Sequence, residues 1–181
     1  MTVDQLATVL QDGDRVGLRY HRALPHPPEK VWRAITESDH LQHWLPCDIV
    51  GERHSGADVK LPFWPDHVET YDIDEPVLTG RILTWEPTSV FEWTWGGDVL
   101  RFELTPRDGR TDLTFTTWFA DADRGVVAGA GGGYHVCLDH LALLLDGGSG
   151  ASLTDPSVRA DAEAWEHRYA ALLTSTDRGD Q

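Results

Sequence analysis

The alternation of apolar and polar positions predicts a sheet of antiparallel strands. Residues 16–24 place Val16, Leu18 and Tyr20 on one side and polar groups on the other, which is the period of a half-buried strand. Short connections rich in Gly, Pro and Asp separate the strands that follow and favour a meander of about six to seven strands. The further predicted strands are a hairpin around residues 54–56 and the runs 77–85, 89–95, 98–105 and 111–119.

Helical periodicity predicts two short helices after the first strand and one additional helix near the carboxy terminus. Pro28 suits the first turn of one short helix, and Ser38 or Asp39 can cap the second. The additional helix covers residues 154–174, with Pro156 in its first turn. We expect this last helix to pack on the outside of the domain.

One long helix is predicted between the sheet and the last helix, over residues 124–145. It is the element expected to cover the sheet, because its apolar positions fall on one stripe. Four glycines between residues 129 and 133 each lower helix propensity by about 1 kcal/mol, so we expect this half of the helix to be loose or broken. The stripe consists of Tyr134, Leu138, Leu141 and Leu145.

The apolar side chains of the predicted strands share one face of the sheet. Phe91, Trp93 and Trp95 alternate along one strand, and Phe102 and Phe115 take matching positions on the next two. The opposite face carries charged residues and threonines. A sheet with one apolar and one polar face needs a cover on the apolar side only, which the long helix can supply.

Several segments in this order resemble one known family. They read PHPPEKVWRAITESDHLQHWLP, ILTWEPTSVFEWTW, RFELTPRDGRTDLTFT and GGYHVCLDHLALLL. They are similar to the bacterial relatives of the carboxy-terminal domain of the activator of Hsp90 ATPase, within the START-like (SRPBCC) superfamily. The resemblance covers Gly17 to Gly147, and the segment WEHRYAALL resembles an extension common in bacterial members. The family usually has Trp where this chain has Tyr134.

The resemblance implies an α+β helix-grip fold, also called Bet v 1-like: a curved antiparallel sheet wrapped around a long carboxy-terminal helix. We expect one domain over residues 1–181, with the helix-grip core at 15–147. The superfamily includes lipid carriers, hormone-binding proteins and polyketide cyclases, so the fold alone does not fix the activity. The eukaryotic activator contacts its chaperone through a further amino-terminal domain that this chain does not resemble, so chaperone activation is not implied.

Charge and composition narrow the partners. The 181 residues carry a formal net charge of -15, which opposes binding to nucleic acid or to anionic membranes. The amino terminus lacks the basic start and apolar centre of a secretory signal, and no apolar run approaches the roughly 20 residues of a membrane span, so we expect a cytoplasmic protein. Cys47 and Cys137 are then most simply two buried thiols, with a disulfide as the alternative.

The helix-grip resemblance implies a pocket for a small apolar or aromatic molecule between sheet and long helix. The chain has eight Trp, and two of them, Trp93 and Trp95, lie on the face that should meet the helix, where their rings offer stacking surface. Any single ring is most simply interpreted as core filling, but the group, opposite a glycine-rich helix, favours a cavity. Trp118 falls on the other face and is left out. The predicted cavity residues are Trp93, Trp95, Phe102, Phe115, Thr117, Tyr134 and Leu138.

His135 and Asp139 form the one polar pair that suggests chemistry. Their spacing of four residues would let Asp139 orient the imidazole as a polar anchor or general base at the pocket. We favour the simpler interpretation, an exposed pair at the edge of the apolar stripe. His40, His43 and Asp39 raise a metal hypothesis that no ligand motif supports, so neither metal nor cofactor is expected.

Three functional hypotheses remain at this point. The first is a binding protein for a small hydrophobic or aromatic ligand, without catalysis. The second is an enzyme of the polyketide cyclase or dehydratase type, with His135 as base and Asp139 as its orienting partner. The third is a protein-interaction module, associated with a chaperone or another partner through the acidic surface.

Overall fold

Eight antiparallel strands form one curved sheet in the computed structural model, which describes residues 5–176. In sequence order they are β1 (Thr8–Asp12), β2 (Arg15–Leu24), β3 (Val50–Gly51), β4 (Asp58–Pro62), β5 (Val77–Glu86), β6 (Val90–Trp95), β7 (Asp98–Arg107) and β8 (Arg110–Trp118). Their order in the sheet is β1-β2-β8-β7-β6-β5-β4-β3. The predicted single domain extends to residues 1–4 and 177–181, which lie outside the described residues.

Five helices accompany the sheet in the described part of the chain. They are α1 (Pro28–Thr36), α2 (Ser38–Leu41), α3 (Pro65–Tyr71), α4 (Arg124–Leu145) and α5 (Pro156–Thr176). The apolar side chains of the sheet and of α4 join one buried cluster, to which α1 and α5 contribute. The expected α+β helix-grip fold is confirmed, and the strand count is slightly higher than the predicted six to seven.

The additional strand is β1, which precedes the first predicted strand. Leu10 pairs with Gly17 across a hairpin, and Gly13 turns the chain with a positive φ of 59°. Most of β1 is exposed or half-exposed, so its apolar alternation is weak. The sequence signal was the Asp12-Gly13-Asp14 turn after Val9.

Helix α3 lies between β4 and β5 and is a helix that the sequence pattern did not predict. Pro65 occupies the first turn, where its missing N–H costs nothing. Asp72 ends the helix in the left-handed conformation, with a φ of 49°. The indole of Trp64 donates a hydrogen bond to the carbonyl oxygen of Leu45 at 2.7 Å and anchors the start of the helix.

Helix α4 is continuous, so the expected loose or broken first half is wrong. The Asp123 carboxylate accepts hydrogen bonds from the first turn and caps the helix. A Cβ built on Gly132 would lie 2.4 Å from the carbonyl oxygen of Ala162, and one on Gly131 would lie 3.0 Å from the Tyr169 ring. The glycines therefore let α5 pack directly on the α4 backbone, and this packing offsets their low helix propensity.

Candidate functional site

The predicted aromatic residues form a continuous stack across the sheet. Trp93 lies parallel to Phe102 with ring centroids 5.8 Å apart, and Phe102 stacks on Phe115 at 4.5 Å. Tyr134 of α4 meets Phe115 edge-on at 5.1 Å. The three sheet residues are buried, as are the other predicted lining residues Thr117 and Leu138. These rings are in contact with one another under α4, as the sequence predicted for the face.

Two residues of the predicted set differ from the rest. Trp95 is only half-buried, and its ring centroid lies 6.0 Å from that of Phe63 at the side of the stack. The indole N–H of Trp93 is buried and has no hydrogen-bond partner among the described residues. A buried donor without a partner is rare, so Trp93 marks a polar position inside an otherwise apolar stack.

An apolar pocket lies on the flank of α4, where α3 and α5 meet it. It encloses about 320 Å³, which falls in the range of small-molecule sites. None of Trp93, Phe102 and Phe115 is among its lining residues. The lining residues are Pro46, Phe63, His67, Tyr71, Ile73, Gly133, Val136, Cys137, Leu153, Val158, Arg159 and Ala162. We call this space the α3–α4–α5 pocket.

His67 supplies a buried polar group to this pocket. Its side chain is about nine-tenths buried, and Nδ1 lies 3.2 Å from an oxygen of Asp66. The other oxygen of Asp66 accepts hydrogen bonds from the hydroxyls of Ser152 and Thr154, at 2.9 and 3.2 Å. An ionised carboxylate only accepts, so the proton of the His67–Asp66 contact belongs to Nδ1 of the imidazole.

The pKa of Asp66 is lowered by its surroundings. Partial burial raises that pKa, but the hydrogen bonds from Ser152, His67 and Thr154 more than compensate. Asp66 is therefore ionised at neutral pH and acts as a fixed acceptor for the imidazole. The loop between α4 and α5 provides both hydroxyls, so this loop and α3 together hold the carboxylate in place.

The two cysteines are buried free thiols. Burial raises the pKa of Cys137 to about 12 and moves the pKa of Cys47 still further above its usual range. A thiol that stays protonated is a poor nucleophile. Cys137 therefore lines the pocket as a small apolar side chain.

The rim of the pocket carries Tyr71 and Arg159, both exposed. The guanidinium carbon of Arg159 lies 5.4 Å from the centroid of the Tyr71 ring, in a cation–π contact. The walls beneath this rim are apolar, and His67 is the polar side chain within them. The pocket thus combines apolar walls with one fixed imidazole.

His135 is fully buried, so the expected exposed pair is wrong. Its ring stacks on Trp165 with centroids 3.4 Å apart, and Nδ1 lies 3.0 Å from the hydroxyl oxygen of Tyr169. Asp139 is half-buried on the same side of α4. Neither member of the pair is among the residues that line the α3–α4–α5 pocket.

Sequence reasoning missed His67, Cys137 and Arg159 as pocket residues. His67 lies on α3, a helix that the sequence pattern did not predict, and Arg159 lies on the helix that we expected to pack on the outside of the domain. The adjacency of Asp66 and His67 was the available signal. Within residues 5–176 no three His, Cys, Asp or Glu side chains gather as a metal-binding group would.

The curved sheet closed by a long carboxy-terminal helix defines a helix-grip protein of the START-like class. The chain belongs to the family described as Activator of Hsp90 ATPase homolog 1-like protein, whose profile matches residues 25–146. The family resemblance seen in the sequence is therefore confirmed. No curated protein matches the chain. Of the described helices, none has the length and apolar character needed to cross a bilayer.

Solved structures share this fold along nearly the whole chain. EF2215, a conserved protein of unknown function from Enterococcus faecalis, is 19% identical with a TM-score of 0.75, covering 93% of this chain and 91% of its own. CalU16 from Micromonospora echinospora is 16% identical with a TM-score of 0.66, covering 93% and 95%. The BPP1335 protein from Bordetella parapertussis is 26% identical with a TM-score of 0.65, covering 91% of each chain.

Proposed function

We propose that the protein binds a small apolar or aromatic molecule in the α3–α4–α5 pocket. The observation that carries this proposal is the pocket itself, with about 320 Å³ between apolar walls and a single buried imidazole. Small-molecule sites typically combine apolar walls with few polar groups in this way. The two sides of α4 have different roles. Tyr134 and Leu138 pack in the core on the side of the sheet, whereas Gly133 and Cys137 line the pocket on the flank.

The substitution Gly133→Phe tests the proposal directly. Gly133 lines the pocket and a Cβ built on it meets no atom within 4 Å, so we expect the added ring to project into the pocket. We expect N-phenyl-1-naphthylamine, a neutral fluorescent aromatic probe, to bind the wild-type protein and to lose at least about ten-fold in affinity in this variant. Unchanged affinity would exclude this pocket as the site.

Gly129→Ala is the matched control. It replaces another glycine of α4, but its Cβ would lie 3.8 Å from Glu166 in ordinary contact, and Gly129 does not line the pocket. Both substitutions remove a glycine from the helix, so both raise its propensity. Probe binding should remain at the wild-type level in Gly129→Ala, so the removal of a helix glycine by itself would not explain a loss of affinity in Gly133→Phe.

The cavity predicted at the aromatic stack is a second location for the same function. Trp93→Ala tests this location, because Trp93 is one of the predicted cavity residues. The removal of a fully buried Trp typically costs about 3–5 kcal/mol of stability. We expect the melting temperature to fall and the probe affinity of the folded fraction to stay within about two-fold. A large loss of affinity in Trp93→Ala, with none in Gly133→Phe, would place the ligand between sheet and α4 instead.

The cyclase hypothesis gains no support from the surroundings of His135. The imidazole is fully buried, with Trp165 stacked on one side and Tyr20 edge-on at 6.3 Å. A general base must come within hydrogen-bond distance of its substrate. The chaperone hypothesis rests on the family relationship and on the net charge of -15.

A further inference from the structure

The imidazole of His67 offers a hydrogen-bond acceptor to a molecule in the α3–α4–α5 pocket. Its Nδ1 donates to Asp66 at 3.2 Å, so in the neutral ring Nε2 has a lone pair and no proton. Nε2 makes no hydrogen bond to the described residues, and it is not among the fully buried polar atoms. It is therefore the ring nitrogen available to a ligand.

The acceptor is fixed in direction as well as in tautomer. The carboxylate that holds Nδ1 is itself bound by Ser152 and Thr154, and the His67 amide N–H donates to the same Asp66 oxygen at 3.0 Å. The ring also packs against Tyr71, with centroids 6.1 Å apart. These contacts leave the imidazole little freedom to turn or to exchange its tautomer.

We propose that the pocket selects aromatic or alicyclic hydroxy compounds, whose O–H donates a hydrogen bond to Nε2 of His67. This inference rests on the proposed ligand-binding function and adds the chemical class of the ligand. In an apolar pocket a lone acceptor favours a ligand that supplies one donor, because a purely apolar ligand would leave the acceptor desolvated and unpaired. The apolar part of such a ligand would pack against the pocket walls, and its hydroxyl would donate a hydrogen bond to Nε2 of His67.

The test compares two probes of one shape that differ only in the donor: 2-naphthol and 2-methylnaphthalene. Displacement of N-phenyl-1-naphthylamine gives the affinity of each. We expect the wild-type protein to bind 2-naphthol about three- to ten-fold more tightly, the range of one neutral hydrogen bond. Equal affinities in the wild-type protein would overturn the inference and leave the proposed function standing, whereas failure of both probes to bind would overturn both.

Two variants connect the preference to His67. In His67→Leu the preference for 2-naphthol should disappear, while 2-methylnaphthalene binds as before or better. In His67→Gln the amide oxygen is a hydrogen-bond acceptor, so part of the preference should return. If His67 had a purely structural role, its replacement would lower both affinities by the same factor and leave the preference for 2-naphthol unchanged. Retention of the preference in His67→Leu would therefore contradict the proposal. The ratio measured on the wild-type protein decides the question if a variant fails to fold.

Discussion

Among single residues, Cys137 shows how burial sets chemical behaviour. It lines a pocket, yet burial raises its pKa to about 12, so the thiol stays protonated where a free cysteine would be partly ionised. We predict that the folded protein reacts with iodoacetamide at pH 8 on the order of a hundred-fold more slowly than the unfolded chain, measured by mass spectrometry over time. Rates within a few-fold of each other would contradict the raised pKa.

The same pKa difference has a defined sign for stability. A thiol whose pKa is raised in the folded protein stabilises the folded state as long as it stays protonated. This contribution is lost as the pH rises from the ordinary cysteine pKa of about 8.5 through the pKa of about 12 in the folded protein. We predict a fall in the free energy of unfolding above about pH 8.5, smaller in Cys137→Val, measured by urea denaturation. An unchanged slope in that variant would assign the alkaline loss to other groups.

At the scale of elements, two neighbouring glycines of α4 have opposite surroundings. The Cβ of Gly132→Ala would lie 2.4 Å from a backbone oxygen of α5, while that of Gly133→Ala enters open space. Both changes raise helix propensity by about 1 kcal/mol, so their difference reports the packing of α5. We predict that Gly133→Ala stabilises the protein by up to about 1 kcal/mol, and that Gly132→Ala destabilises it by about 1–3 kcal/mol.

Urea denaturation of both variants gives the comparison, with circular dichroism as the probe of helix content. If Gly132→Ala were as stable as Gly133→Ala, the close approach of the two helices would not determine their packing. The rule that glycine weakens a helix holds for the isolated segment. In the folded protein the partner helix reverses the balance at Gly132, because only the bare backbone leaves room for α5.

At the scale of the whole molecule, periodicity in the sequence was enough to predict the sheet face and the long helix. Phe102 and Phe115 occupy the expected side because strand alternation is a local property. The pocket could not be found in this way, since Gly133, His67 and Arg159 come together from three helices far apart in sequence. No local pattern states which flank of α4 a second helix will cover.

Tyr169 links segments that lie far apart in the sequence. Its hydroxyl accepts a hydrogen bond from the Ala7 amide N–H at 3.1 Å and lies 3.0 Å from Nδ1 of His135, so α5 links the amino-terminal segment to the centre of α4. Tyr169→Phe keeps the ring and removes both contacts, leaving buried polar groups without this partner. We predict a loss of about 1–3 kcal/mol in the free energy of unfolding by urea, with the fold retained. Because this hydroxyl accepts the hydrogen bond of the Ala7 amide, hydrogen exchange at that amide should accelerate in the variant. Unchanged exchange would show that the link does not hold the amino-terminal segment.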